Sequence, residues 1–321
     1  MAENHAAALR TLVSNAVKAA SSHNTQPWRF RLEERRITLL ADLARRCPIV
    51  DPDDHHLYAS LGCALENLVV TAPSLGLRTH VNFGDSGNIT VELENASPAT
   101  SPLLNAIEVR QCTRCEYDGS ALTPADARAL EEAGSGEGVS LRLLTEKRAL
   151  EQIADYVAAG NTAQFADPAW RQELRHWVRF NPHSANESGD GLFGPSMGNP
   201  AVPDWLGRLF MHVAFSVRQQ NQKDIGHIRS SSAVAVFISE RNDIRHWVEA
   251  GRCYERFALQ AAALDLRTAF INQPVEVAPL RQQFSTHLGL AASQRPDLIV
   301  RVGRGPLMPR SFRRPVDAVI V

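Results

Sequence analysis

Cysteine is scarce in this chain: five residues in 321, an odd number, which supports no disulfide framework and suits a reducing compartment. An excess of one charge is missing too. Lys+Arg 34 against Asp+Glu 35 leave a formal net charge of −1. No basic field is therefore present to neutralise a run of phosphates or hold the chain on an anionic membrane, and neither nucleic acid nor membrane is an expected partner. No apolar stretch is long enough to span a bilayer, since the run from Trp247 to Ile271 is broken by Arg252, Glu255 and Arg256. The opening MAENHAAALRTLVSNAVKAASS lacks a continuous apolar region behind a basic start, which leads to the expectation of a cytoplasmic protein. A Rossmann-type dinucleotide loop is not expected. No second C-x-x-C accompanies Cys112 and Cys115 to complete a zinc site.

What is present is an ordinary globular composition, 44% hydrophobic and 21% charged, in a length that suits about two domains or one large one. Leu9, Leu12, Val13, Ala16, Val17 and Ala20 fall at helical spacing. Trp28–Leu32 and Ile37–Leu40, joined across Glu33–Arg36, predict a strand hairpin. A second helix follows, with Leu57, Leu61, Leu65 and Leu68 on its apolar face and Gly76 beyond its end. Strands are expected at Arg78–Phe83 and Ile89–Leu93, and the Ser/Pro-rich stretch from Ala96 to Pro102 marks a boundary between halves.

Beyond it, the pattern predicts helices near Leu103–Arg110, from Thr123-Pro124, and from Lys147 towards Ala159, with a strand at Val139–Leu144. Between Gly160 and Arg229 lies a long, partly irregular insertion rich in Gly and Pro, flanked by aromatic helices around Trp170–Phe180 and Trp205–Val217; such a segment is usually a lid or disordered. A strand at Ala233–Ile238, a helix at Val248–Leu264, strands at Thr268–Ile271 and Leu298–Val302 and a short tail complete the chain.

The chain also repeats itself. An offset of 189 residues pairs Gly62, Glu66, Ala72, Leu75, Leu77, Arg78 and Thr79 with Gly251, Glu255, Ala261, Leu264, Leu266, Arg267 and Thr268. Any two amphipathic helices can share a few identities, but a common Leu-x-Leu-Arg-Thr exit into a strand favours duplication.

Two clusters stand out chemically. Ser22-His23-Asn24-Thr25-Gln26-Pro27-Trp28 concentrates side chains that both donate and accept hydrogen bonds; it reads either as a capped turn or as a loop suited to the alternating donor and acceptor edge of a flavin ring. Arg110 and Arg114, four apart, share a helical face and can grip a phosphate with forked hydrogen bonds, or can simply be solvated. Arg301, Arg304, Arg310, Arg313 and Arg314 add positive charge near the C-terminus. The Cys112/Cys115 pair beside arginines admits a lowered thiol pKa, though a redox or metal role is the minor reading. His55, His56 and His183 lack partners at metal-ligand spacing and are expected at the surface, and no metal site is expected.

An arginine motif, a Ser/Asn/Gln-Pro-Trp segment, a Pro-x-Glu segment and a C-terminal arginine pair together resemble the FMN-dependent nitroreductase superfamily. SSHNTQPW, the duplication and the insertion look like its Acg-like branch of FMN-binding oxidoreductases, with HNTQPW and GRCYER…LRTAFINQPVE as the most specific parts. In that superfamily one subunit of a homodimer supplies the arginine motif and the other the Gln-Pro-Trp loop. Here each occurs once. The first half has only Arg10 ahead of Ser22–Trp28, and in the second half Ser230-Ser231-Ser232-Ala233-Val234 stands where the loop would be.

The resemblance therefore implies an α+β, nitroreductase-like fold duplicated in one chain: a monomeric pseudo-dimer with mixed or antiparallel sheets flanked by helices. Residues 1–100 would form the first half and 101–321 the second, with a lid at about 160–229 and one FMN between them. It implies that Arg110 and Arg114 hold ribityl and phosphate, with Cys112 where Ser or Thr is usual, and that Arg313 or Arg314 closes on the phosphate. Ser22, His23, Asn24 and Gln26 would approach the flavin, and the backbone of Gln273-Pro274-Val275-Glu276 would face its N5. The flavin would carry the chemistry with no catalytic side chain, NAD(P)H serving as transient reductant and a nitro compound, quinone or similar small molecule as oxidant. The alternative is an FMN-sequestering or storage protein whose aromatic lid blocks turnover.

Overall fold

The computed structural model describes residues 2–84, 87–213 and 216–321. The chain begins with α1 (Ala2–Ala16), the hairpin β1 (Trp28–Glu33) and β2 (Arg36–Ala41), helix α2 (His55–Thr71) and strands β3 (Leu77–Phe83) and β4 (Ile89–Asn95). In β1 the alternation works as the sequence predicts: Trp28 and Phe30 are buried while Arg29 and Arg31 face out. Residues 96–101 carry no regular structure. Next come α3 (Pro102–Val109), α4 (Pro124–Ala133), β5 (Val139–Leu144) and α5 (Lys147–Ala166). Ser101 and Thr123 cap α3 and α4 with their hydroxyls, and a Pro follows each cap.

The stretch expected to be partly irregular is mostly helical. It holds α6 (Pro168–Trp177), β6 (Val178–Arg179), α7 (Pro182–Ser188), β7 (Leu192–Phe193), α8 (Asp204–Val213) and α9 (Val217–Arg229). Residues 214 and 215 of the expected Trp205–Val217 helix lie outside the described residues. Gly189, Gly191 and Gly194 do spell G-x-G-x-x-G, but they follow helix α7 and run into a short 3-10 turn, so they form no strand-to-helix dinucleotide loop. Then come β8 (Ala233–Ser239), α10 (Ile244–Ala263), β9 (Arg267–Phe270), α11 (Gln273–Glu276), α12 (Ala278–His287) and β10 (Arg295–Gly303). Among the described residues no helix is long and apolar enough to cross a membrane.

Two four-stranded sheets result, ordered β1-β2-β4-β3 and β5-β8-β10-β9, with every neighbouring pair antiparallel. Each sheet has its members in the same chain order, and each keeps its long helix, α2 or α10, between its second and third strands. β8 and β10 are buried on both faces, which explains the near-continuous apolar sequence of β8 and the Leu298-Ile299-Val300 run of β10. Their side chains alternate between two cores. Ala233, Ala235, Phe237, Val300 and Val302 join α2 and α10 in the main core, while Val234, Val236, Ile238 and Ile299 face Ile153 and Val157 of α5 and Phe284 of α12.

The two long helices touch through glycine. A Cβ on Gly62 would lie 1.9 Å from the Val248 carbonyl oxygen, and one on Gly251 would lie 1.9 Å from the Ala59 carbonyl oxygen. Both pairings obey the offset seen in the sequence, since 251 − 62 and 248 − 59 both equal 189. The exits repeat as well: Gly76 at φ 70° and Asp265 at φ 57° both turn left-handed before their strand. The last residues pair in parallel with β1 through Phe30 and Ile320.

Candidate functional site

Two adjoining cavities open where the two sheets' helices and loops meet. The larger is about 670 Å³, within the range of small-molecule sites. The smaller is about 110 Å³. Ala20, Ser21, Arg114, Leu192 and Phe270 line both, so one continues into the other.

The smaller cavity is walled by Lys18, Arg110, Arg114, Arg310 and Arg313, with no Asp or Glu among its described lining. Arg110, placed at the end of α3, is buried; its Nε lies 2.9 Å from Glu255 of α10, and its Nη2 donates to the Lys18 carbonyl at 2.6 Å. Burial works against its charge, but Glu255, joined by Tyr254, Cys63 and Cys112, outweighs that and holds Arg110 above its ordinary pKa. Arg313 donates to the Lys18 and Ala19 carbonyls, and its Nε is buried without a hydrogen-bond partner. Burial, and next the Arg110 charge, pull Arg313 down to about 9, a shift that a bound anion would oppose. Arg114 is half-buried at the junction of the cavities and has no ion-pair or hydrogen-bond partner among the described residues. Cys112 also lines the small cavity. Cys115 does not become a low-pKa thiol: burial pushes it up, more than Arg301 lowers it.

The loop before β1 is held in an unusual backbone. His23, Asn24 and Gln26 all have positive φ (48°, 55° and 53°), a conformation that costs non-glycine residues free energy and marks an over-determined segment. Ser22 and His23 line the larger cavity and Asn24 the smaller. The amides of this loop are largely committed to protein backbone. Asn24 Nδ2 donates to Gly191 O (3.0 Å) and Phe312 O (3.1 Å). Gln26 Nε2 donates to Gly189 O at 2.8 Å, and its Oε1 accepts from the Arg314 N–H at 2.9 Å. The amide-rich loop thus pins the insertion and the C-terminal segment in place. Gln26 and Arg314 line neither cavity, and Arg314 instead donates to the Gln26 and Ala318 carbonyls.

The opposite wall is α11. Gly160 of α5, which does not end its helix as the sequence suggests, lets this segment approach: a Cβ there would lie 2.6 Å from Gln273 Cβ. Gln273 and Glu276 line the larger cavity, while Pro274 lines neither. The Val275 and Glu276 N–H groups both donate to Asn272 O, at 2.9 and 3.0 Å. The Val275 and Glu276 main-chain donors are therefore engaged within the segment, and the Gln273 and Glu276 side chains line the cavity. Glu276 accepts from Gln164 at 2.6 Å, and burial raises its pKa.

The histidine pair is not at the surface. His55 is 1% exposed with its Nε2 2.8 Å from Asp297, and His56 is 5% exposed, lines the larger cavity and has no hydrogen-bond partner at either nitrogen. Asp51, His55 and His56 lie close enough for their ligand atoms to fall within 4.8 Å of one another. Sequence spacing also missed Lys223, Asp224 and His227 of α9, which reach the cavity from the insertion. Arg301, also on the wall of the larger cavity, carries a readable signal, because an arginine inside an apolar strand must be partnered. It donates to the Thr113, Cys115 and His227 carbonyls and lies 4.0 Å over the Tyr117 ring.

The buried imidazoles set the acid limit of stability. Burial first, then Arg114 and His56, lower His23 to about 4; burial first, then Arg301, Lys223 and Arg114, lower His227 to about 4. Because the unfolded chain takes up these protons near 6.5 and the folded chain does not, the stability these two contribute is full above about pH 6.5 and is lost as pH falls towards about 4. Denaturant melts across that window should show the loss, and His23→Gln with His227→Gln should flatten it. An unchanged slope in the double variant would refute the assignment.

No protein-family model matches the chain. It is 27% identical, over 97% of its length and 90% of the relative's, to a Mycobacterium tuberculosis protein named "Putative NAD(P)H nitroreductase Rv3131". A second, "Putative NAD(P)H nitroreductase acg" of the same organism, is 26% identical over 97% of this chain and 94% of the relative. Among solved structures, a nitroreductase with bound FMN from Bacteroides fragilis aligns with TM-score 0.41 at 15% identity, covering 67% of this chain and 96% of that one. The NADPH:FMN oxidoreductase from Vibrio harveyi complexed with NAD+ aligns with TM-score 0.42 at 12% identity, covering 69% and 76%.

Proposed function

For a chain that belongs to the nitroreductase superfamily, on its Acg-like branch, we propose an FMN-binding oxidoreductase that passes electrons from NAD(P)H to a small oxidant. The observation that carries this reading is the acid-free, cation-walled small cavity opening through Arg114 into a much larger one. That shape and charge fit a phosphate at one end and a ring system at the other. Arg110, Arg310 and Arg313 would hold the phosphate, the unpartnered Arg313 Nε being the buried donor that such a ligand satisfies. Arg114 would place positive charge beside the ring. When bound, FMN supplies hydride acceptance and donation.

The chain's own residues would do the rest. His23, kept neutral and held at Nδ1 by Ser22 Oγ at 3.3 Å, leaves its Nε2 for a ligand. Glu276, whose pKa burial raises, sets its carboxyl on the cavity wall next to bound substrate. Phe165, Trp170, Phe180 and Phe210 from the insertion line the same cavity and exclude water. The visible spectrum of the purified or FMN-reconstituted protein tests this. A flavin band that bleaches under anaerobic NADH or NADPH is the expected result, and protein that takes up no flavin would sink the reading.

A second reading, FMN sequestration without turnover, is favoured by how firmly the insertion is tied down. Asp190 pairs with both Arg45 and Arg179, and Glu173 accepts the Ile49 and Val50 N–H groups at 3.0 Å. A flavin band that bleaches with dithionite but not with NAD(P)H would select it. The chain is further proposed to be a pseudo-dimer of halves 1–100 and 101–321 that works as a monomer. The matching sheet orders and the reciprocal glycine contacts support this. An obligate dimer in light scattering would count against it.

A further inference from the structure

Resting on the FMN reading above, we propose that Lys223, with Arg114 and His227 beside it, forms a second anion site in the larger cavity, which takes the phosphate or carboxylate of the reductant or oxidant.

The two cavities hold more basic groups than one phosphate needs. The small cavity already has Arg110, Arg310 and Arg313 for one phosphate, besides a Lys18 that is paired with Glu108. FMN carries only one. The wall of the larger cavity nevertheless gathers another basic group: Arg114, Lys223, His227 and Arg301. The acid beside them in sequence and space, Asp224, is committed elsewhere, accepting from Asn161 at 2.8 Å and twice from Gln220 at 3.0 Å. Lys223 forms no ion pair among the described residues, and its Nζ donates only to the Met197 carbonyl at 2.9 Å.

These cations disturb one another. Burial, offset in part by Asp224, and the charges of Arg114 and Arg301 lower the Lys223 pKa, and the same charges help keep His227 neutral. Like charges gathered in a partly desolvated wall cost free energy, and an anion among them recovers it. Arg301 cannot itself reach the ligand, because its guanidinium is spent on three carbonyls, so its role is to add field. Lys223 has two N–H donors to spare and Arg114 its whole guanidinium. Neutral His227 can add one N–H.

Ligand pairs differing only in an anionic group test the site. NADPH and NADH differ by a phosphate; 4-nitrobenzoate and 4-nitrobenzamide differ by a carboxylate. Binding to the FMN-loaded protein is measured by calorimetry, with flavin occupancy read first from the absorbance. In at least one pair the member with the extra anionic group should bind about tenfold tighter than its partner, and Lys223→Met should remove that gap while flavin occupancy stays the same. A gap confined to the nucleotide pair assigns the site to the reductant, and one confined to the nitro pair assigns it to the oxidant. Equal binding within both pairs, or a gap that survives in Lys223→Met, overturns the proposal. Loss of FMN from Lys223→Met also overturns it, by moving Lys223 to the flavin phosphate. If the wild type loads no flavin, the FMN reading has failed separately, and the same titrations on the flavin-free chain still decide whether an anion binds at Lys223.

Discussion

Gly251→Ala is expected to remove about 3 kcal/mol or more of stability, seen as an earlier midpoint in denaturant. The added methyl meets a helix carbonyl at 1.9 Å, and backbone on backbone leaves no flexible side chain to yield, so α2 and α10 must separate along their length. Overpacking commonly costs about 1–3 kcal/mol, and this contact belongs at the upper end because it opens the main core. Gly62→Ala should cost a similar amount. The double variant should cost clearly less than the sum, since one outward shift of the helices relieves both clashes. Gly226→Ala is the control. It lies within α9 with only the Glu116 carboxylate at 3.6 Å, so the gain in helix propensity should leave the protein as stable or up to about 1 kcal/mol more so. Full additivity of the first two changes would mean that the glycines act independently.

Arg110→Ala carries the second large effect and acts in two ways. It strands the fully buried Glu255 carboxylate, and removing one partner of a buried pair costs about 3–5 kcal/mol. It also takes a cation from the wall of the small cavity, so the protein should lose FMN on dialysis. The two effects separate in Arg110→Ala with Glu255→Gln. Neutralising the stranded acid should recover much of the stability, while flavin retention should stay low. Retention restored along with the fold would show that Arg110 serves only Glu255, leaving the phosphate to Arg313 and Arg310.

Most of the framework could be read from local pattern, because it rests on local rules. The Trp28–Leu40 hairpin follows from alternation, α2 from leucines at helical spacing, and α3 and α4 from Ser-Pro and Thr-Pro starts. What escaped depends on partners far away in the chain. Gly160 looked like a helix end, yet it lies within α5 because Gln273 packs on it. His55 and His56 looked like surface residues because nothing nearby in sequence needed them; burial comes from packing against Trp247 and Asp297. Asn24 and Gln26 were legible as a dense hydrogen-bonding set. Their partners, Gly189, Gly191 and Phe312, were not, since no spacing rule reaches across 163 to 288 residues. The helices of the insertion were obscured by the Gly and Pro that separate them.

Glu66 and Glu255 occupy the same turn of α2 and α10, yet they serve different neighbours. Glu66 takes Arg252 and Arg256 at 2.9 and 2.8 Å and braces the two helices, whereas Glu255 takes Arg110 at 2.9 Å, at the edge of the cation-walled cavity. In an assembly of two identical chains, every change at such a glutamate would appear twice, so a substitution that suits one place is imposed on the other. A single chain of the proposed pseudo-dimeric kind escapes that coupling: the brace can drift towards stability and its counterpart towards ligand chemistry, each at its own rate.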